Sequence, residues 1–461
     1  MWKLLSAVVV FLWVLPFFAA APPGVAAGPL DMTGAAAIAL EKNYDLAALR
    51  EELAGSRSAA ELSGSLANPV LELEGATGAM SKSPDEKSIG IALSQEIPLL
   101  PVGKRRRELA LAEVAVMEAR LRDQERVLAE QARRAWLDAA LTAQRVELLR
   151  GQQAVAAELL EVARARFQAG DLAEFEVQLA EIDLRRNDLR QLESLAAADG
   201  AKRRLALLLG LNSAVELPPL AGIILPSAKL PVEEALLAAA LERRPDLAAQ
   251  RREGAREAAV LSLARAEAVP PLTLALSYRN ERSSQNTYDL NGGLLVPGTE
   301  QTSDRIMGMK LSMPLPLFSR NQMESIKAGA RVSATRQRLE GVRRAVAAEV
   351  RDLLAQYRLA LTALALHRTA LGPVARENFK IQQEAFALGE IGLQQLLDEK
   401  RRQGEQQEAE LTALQAAIET HSRLESSAGL ALKDKAELSS LPAQTKLMPY
   451  GYNPAVSGGA Q

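Results

Sequence analysis

The chain has 461 residues, 55 basic against 57 acidic, with 4% aromatic residues and no cysteine. Charges that nearly cancel argue against a nucleic-acid partner, and without a thiol there is no disulfide, no thiolate metal site and no lipid anchor on an N-terminal cysteine. Ala, Leu, Glu, Arg and Gln dominate, which suits long helices better than compact layered domains.

Residues 1–27 open with Met-Trp-Lys, continue with an apolar run over 4–21 and reach small residues at Val25-Ala26-Ala27, the anatomy of a cleaved secretory signal peptide. Pro16 interrupts the run and its length falls at the short end for a spanning helix. No later stretch approaches a spanning helix in length, so residence in a membrane requires another route.

The rest of the chain reads as one unit written twice. "ALEKNYDLAALR" at Ala39 returns as "ALERRPDLAAQR" at Ala240; "GIALSQEIPL" at Gly90 returns as "GMKLSMPLPL" at Gly308; "FQAGDL" at Phe167 returns as "FALGEI" at Phe386. The expected organisation is a signal peptide (1–27), a first repeat (28–229), a second repeat (230–432) and a poorly ordered tail (433–461). Each repeat opens with a helix, about 33–66 and 232–268, stopped by a proline. Two strands follow, around Leu71-Glu72-Leu73-Glu74 and Ile89, Ile91, Leu93 in the first copy, and around 272–277 and Met307, Met309, Leu311, Met313 in the second. Strands of ~8 to 11 residues with one apolar face mark a transmembrane β-barrel. The second copy carries 17 extra residues, so a polar loop over about 279–304 is expected outside the cell.

Helical runs at about 104–168 and 322–388 come next, with apolar residues three and four apart as coiled coils require. A run of ~65 residues extends ~100 Å, longer than any compact domain needs. Gly170-Asp171 and Gly389-Glu390 break these runs, and helices return to about Leu209 and Leu432, giving two antiparallel hairpins. Pro218, Pro219, Pro226 and Pro231 mark the linker between repeats. Four strands cannot close a barrel, and an open edge in lipid leaves backbone groups unpaired. The fold class is therefore mainly α with a transmembrane β-barrel: coiled-coil hairpins forming an α-barrel, and four strands per subunit completed by trimerisation to twelve.

The segments "SQEIPLLPVGKRRRELALAE" and "MPLPLFSRNQMESIKAGA", with the doubled architecture, resemble the TolC-like outer-membrane efflux proteins, and "LPLFSRNQ" resembles the branch paired with heavy-metal exporters of the resistance-nodulation-division type. The resemblance implies a homotrimer in the outer membrane with a helical barrel in the periplasm. It also implies partnership with a periplasmic adaptor and a proton-driven inner-membrane pump, and a passive channel for cargo such as heavy-metal cations. An exit duct for drugs or secreted proteins shares this fold; a periplasmic adaptor would have one helical hairpin, not two.

The family places its adaptor-docking tips at turns like those of Phe167, Gly170 and Asp171 and of Phe386, Gly389 and Glu390. Each glycine would supply a left-handed backbone, each acid a favourable charge at the next helix start. The family's gate aspartate matches Asp398, with Gln395 three residues earlier where a second acid occurs in relatives. If Leu393, Leu396 and Leu397 pack between helices, Asp398 faces the lumen; the other reading pairs it with Lys400, Arg401 or Arg402. The basic run Lys104, Arg105, Arg106 and Arg107 is a solvated helix start or a contact with lipid phosphates at the membrane edge. His367 and His421 lie far apart in helices, and the two-residue spacing of Met307, Met309 and Met313 places them on one lipid-facing side of a strand, so no metal or cofactor site is expected. No nucleophile and base occur in a plausible context, so no enzyme activity is expected.

Overall fold

The computed structural model describes residues 28–78, 86–212, 214–224, 232–291 and 294–429. The expected signal peptide, the tail and the linker prolines Pro226 and Pro231 lie outside them. Asp31 caps helix α1 (Met32–Lys42) by accepting from the Gly34 amide at 2.7 Å. The chain then breaks at Asn43, whose side chain caps α2 (Tyr44–Leu62) through the Leu46 amide at 3.1 Å. In the second copy Arg244 makes the same break between α5 (Glu233–Arg243) and α6 (Pro245–Ala266), since the residue before a proline is driven out of the α region. Each opening helix, expected as a single run, is thus two helices meeting at an extended residue.

Strands β1 (Val70–Thr77), β2 (Lys87–Ile97), β3 (Leu272–Asn291) and β4 (Leu294–Ser312) form one antiparallel sheet in chain order, leaving β1 and β4 as free edges. The register sorts side chains by face. Leu71, Leu93, Leu276 and Met309 lie across from one another in one row, and Leu73, Ile91, Tyr278 and Met307 in another. These apolar side chains share one face and are exposed, Met307 85% and Met309 76%. On the opposite face the rows read Glu72, Ala92, Ser277, Gly308 and Glu74, Gly90, Arg279, Ile306. Arg279 reaches over Gly90 to Glu74 at 2.9 Å, a cross-strand ion pair. A sheet apolar on one side and polar on the other is the wall of a barrel with lipid outside and water within.

The eleven residues of β2, at about 3.3 Å each and ~40° tilt, climb about 28 Å, the thickness of a hydrocarbon core. β3 and β4, with 20 and 19 residues, are far longer. The polar segment expected as a loop is instead a continued hairpin, paired without interruption from Arg279–Ile306 to Asn291–Leu294. Its backbone groups satisfy one another whatever the side chains, so the ladder outlasts the apolar pattern. Met313 falls one residue past β4 and does not belong to the methionine row.

From the sheet descends α3 (Val102–Ala169), 68 residues in one helix and about 100 Å long. It packs on α2 and α6 in its upper half, on α1 at mid-height around Trp136, and on α4 (Glu174–Leu208) in its lower half. The second descending strut is not continuous: α7 (Gln322–Leu366) passes through a five-residue π turn, His367–Leu371, into α8 (Gly372–Ala387). Pro373 is the physical cause, for its ring would clash with the carbonyl four residues back in a regular helix. α9 (Leu393–Ser427) returns along α8 and α7 and also packs on α3. At mid-height Trp136 of α3, 3% exposed, anchors the largest core cluster and donates its indole N–H to the Leu30 carbonyl at 2.7 Å.

Candidate functional site: the closed end of the helical hairpins

Both hairpins turn in the same way. Gly170 has φ +86° and Gly389 φ +79°. The Gly170 amide bonds to the Phe167 carbonyl at 3.0 Å and the Asp171 amide to Arg166 at 2.9 Å; Gly389 and Glu390 repeat the pattern with Phe386 and Ala385 at 3.1 and 3.0 Å. This is the Schellman closure that the Gly-acid pairs announced.

The acids themselves do not serve the helix starts. α4 begins at Glu174 and α9 at Leu393, each three residues beyond Asp171 or Glu390. One residue serves both: Glu176 accepts from its own Ala173 amide at 3.4 Å and, across the hairpins, from the Leu393 amide at 3.3 Å. α9 has no acid in its own first turn, so the carboxylate that favours its positive end comes from the other repeat.

The two phenylalanines also part company. Phe167 is 44% exposed, whereas Phe386 is 3% exposed within a cluster with Leu159, Leu160, Ala163, Ala180, Leu393 and Leu396. Phe386 is therefore a core residue, not a docking surface. Its ring carries the Arg166 guanidinium 4.4 Å from its centroid, and Arg166 donates to the Ala387 carbonyl at 2.7 Å, tying the two turns level with each other.

Seven residues beyond the Glu176–Leu393 link lies a second rung. Lys400 Nζ stands 2.6 Å from Asp183 Oδ2, the lysine side chain 7% exposed, and Asn187 Nδ2 donates to the same oxygen at 3.3 Å. Above it Gln152 Nε2 donates to Gln407 Oε1 at 3.2 Å beside Gly404, where a side chain would press on Gln152. These polar rungs join the first hairpin to the second.

Asp398 lies beside them in a cleft of about 350 Å³ that Arg186, Arg190 and Arg401 also line. Its carboxylate accepts from Arg401 at 3.0 Å, with 45% of the side chain exposed; Lys400 goes to Asp183, and Arg402 to Glu399 at 3.3 Å. Of the two sequence readings, the pairing one matches the single chain. Leu393 and Leu396 are fully buried and Leu397 packs against them, as expected, while Gln395 is exposed.

At the sheet end, Arg105 pairs with Glu108 at 2.7 Å and Arg106 with Glu267 at 3.0 Å, the second bond stitching α3 to the end of α6. Among the described residues Lys104 and Arg107 have no such partner. His367 Nδ1 faces Gln406 Nε2 at 2.9 Å, and His421 stacks at a tilt on Tyr357 with centroids 5.3 Å apart. Burial pushes the His421 imidazole below its ordinary value, aided by the Arg133 charge and opposed by Glu425. No group of three potential metal ligands occurs among the described residues.

Residues 36–211 and 236–430 match the family described as outer membrane efflux protein. Over 305 residues the chain is 26% identical to the cobalt-zinc-cadmium resistance protein CzcC of Cupriavidus metallidurans, across 65% of this chain and 66% of that one, so it spans just under two thirds of that relative. The fold is similar to that of CusC, which forms a transmembrane channel, with a TM-score of 0.70 at 17% identity over 86% of this chain and 92% of the other. It is similar also to the outer membrane protein VceC of Vibrio cholerae, with a TM-score of 0.68 at 16% identity over 86% and 96%.

Proposed function

The chain belongs to the outer membrane efflux protein family, and from that premise we propose that three copies close into one passive duct, a twelve-stranded barrel in the outer membrane continued by a barrel of helices in the periplasm. The observation that carries the reading is the four-stranded sheet, apolar on one side, polar on the other and, among the described residues, unpaired at both edges, at the head of a 68-residue helix. Free edges in lipid cost several kcal/mol per unpaired group, so copies must complete one another. No chemistry is needed of the protein; it conducts what a proton-driven inner-membrane pump and a periplasmic adaptor deliver.

The cargo we propose is heavy-metal cations, on the likeness to a cobalt-zinc-cadmium resistance protein and the "LPLFSRNQ" segment. The exposed parts of the turns, Phe167, Gly170, Asp171, Gly389 and Glu390, form the adaptor's docking surface. The rungs Glu176–Leu393 and Asp183–Lys400 hold the far end narrow, and Asp398 with Gln395 lines the approach to it. Lys104 and Arg107 meet lipid phosphates at the periplasmic edge of the membrane. A strain lacking the gene should lose resistance to cobalt, zinc and cadmium and regain it from a plasmid copy. Sensitivity to a drug panel with unchanged metal tolerance would move the cargo to organic molecules.

A further inference from the structure

The register that gathers the sheet's apolar rows onto one face continues beyond them in both directions. Toward the helices that face carries Leu93 with Leu276 and Met309, then Leu274 with Leu311, then Ile97 with Leu272. Away from the helices it carries Ile89 opposite Asn280 and Arg305, and then Lys87 opposite Arg282 and Ser303. Within two rows the apolar pattern ends and three cations take its place: Lys87, Arg282 and Arg305, all exposed.

The acids at this level stand on the other face. Glu281 and Asp304, each next in the chain to one of the arginines, lie opposite one another across β3 and β4. Successive side chains of a strand point to opposite faces, so the thickness of the sheet separates each arginine from the acid beside it. Among the described residues none of the three cations meets a carboxylate. Their counter-charge has to come from whatever the apolar face meets.

Height identifies it. From Ile97 to Lys87 is ten residues along β2, which at about 3.3 Å each and ~40° tilt climb about 25 Å, the height of the apolar band on a membrane barrel. With Ile97 and Leu272 at the lower edge of the hydrocarbon, the basic rows stand at its upper edge, level with the headgroups of the outer leaflet. There the long stems lie along the apolar rows while the charged ends reach the interface. We propose that Lys87, Arg282 and Arg305 form a collar that binds the phosphate groups of anionic lipids in the outer leaflet, three cations from each copy around the closed barrel. The two guanidinium groups suit this partner because their paired N–H groups match phosphate oxygens. The inference rests on the three-copy duct proposed above.

The photoreactive amino acid p-benzoylphenylalanine, placed at Ser303 in the row of Lys87 and Arg282 or at Met309 within the apolar band, captures the adjacent lipid under ultraviolet light. Full-length protein is reconstituted into phosphatidylcholine vesicles that hold a minority of lipid A, a glycolipid with phosphates. Each basic residue near an anionic surface favours it about fivefold, so capture at Ser303 should enrich lipid A over its share of the bilayer by about tenfold or more. Lys87→Gln, Arg282→Gln and Arg305→Gln together should remove the enrichment, and Arg282→Lys with Arg305→Lys should keep it. With the parent sequence at these positions, lipid A stripped of its phosphates should not be enriched. Enrichment that survives loss of the three charges in assembled trimers, or loss of the phosphates, overturns the collar. Lipid captured at Met309 but not at Ser303 overturns it too and leaves the duct standing. No lipid at either position, with a monomeric mass, refutes the duct itself.

Discussion

Replacing Lys400 by methionine takes the cation out of the rung between α4 and α9 while keeping most of the side chain's volume. The ammonium stands 2.6 Å from Asp183, with the lysine side chain 7% exposed and the aspartate 25%. Breaking a fully buried pair costs about 3–5 kcal/mol. Asp183 keeps the hydrogen bond from Asn187 and a quarter of its surface in water, so about 2 kcal/mol is expected, the worth of one charge-assisted hydrogen bond. If the rung exists only while the hairpins are drawn together, that loss shifts the balance between narrow and splayed ends by about 30-fold. Single-channel recording in planar bilayers reads this as a rise in open probability, and Lys400→Arg should stay close to the parent. Correctly assembled Lys400→Met trimers whose open probability lies within twofold of the parent would refute the latch.

Valine at Gly170 or Gly389 is forced to positive φ, at about 1–2 kcal/mol; a Cβ at either site meets no atom within 4 Å, so the damage should stay in the turn. Trimers should persist in the membrane while metal resistance is lost, and full resistance in both variants would remove the turns from docking. A cysteine at Ser284, on the hairpin beyond the membrane-crossing part of β3, should react with an impermeant reagent in intact cells; labelling only after lysis would invert the topology. His421 has its imidazole held below its ordinary value by burial, so the unfolded chain takes up the proton first as pH falls through about 6.5 and stability drops there. Glu130, its carboxyl raised by burial, works in the opposite direction at lower pH. Thermal unfolding should therefore lose less stability between pH 7.5 and 6.0 in His421→Gln than in the parent, and equal losses would assign the pH response elsewhere. Asp398→Asn should weaken cation preference in reversal-potential measurements if the carboxylate faces the pore, and an unchanged preference would leave it as Arg401's partner only.

Much of the fold is legible because its signals are local. The glycine–acid pairs at 170 and 389 place both turns, and period-two alternation at Ile89, Ile91 and Leu93 places a strand. Two helical hairpins, against the one of a periplasmic adaptor, follow from these breaks. The polar half of the β3–β4 hairpin is hidden because neither face alternates in hydropathy there, yet backbone pairing continues. The π turn left a readable trace, Pro373 inside a helical run.

The site was less legible, since its contacts cross between repeats. Glu176 serving Leu393 and Asp183 holding Lys400 each join residues 217 apart, a separation that no local pattern encodes. Phe167 and Phe386 occupy equivalent places in the duplicated sequence but only Phe386 is buried, because its ring lies among side chains of α3, α4 and α9 and under the Arg166 guanidinium, a cluster that Phe167 does not join. A repeat alignment carries secondary structure from copy to copy; it does not carry neighbours.

The mass of the protein extracted from outer membranes, measured by light scattering with the detergent subtracted, bears most directly on the central claim. Three copies are expected, about three times the mass of one chain, which is 49.6 kDa for the full sequence. A single chain that stays soluble without detergent would contradict a barrel built from three open sheets.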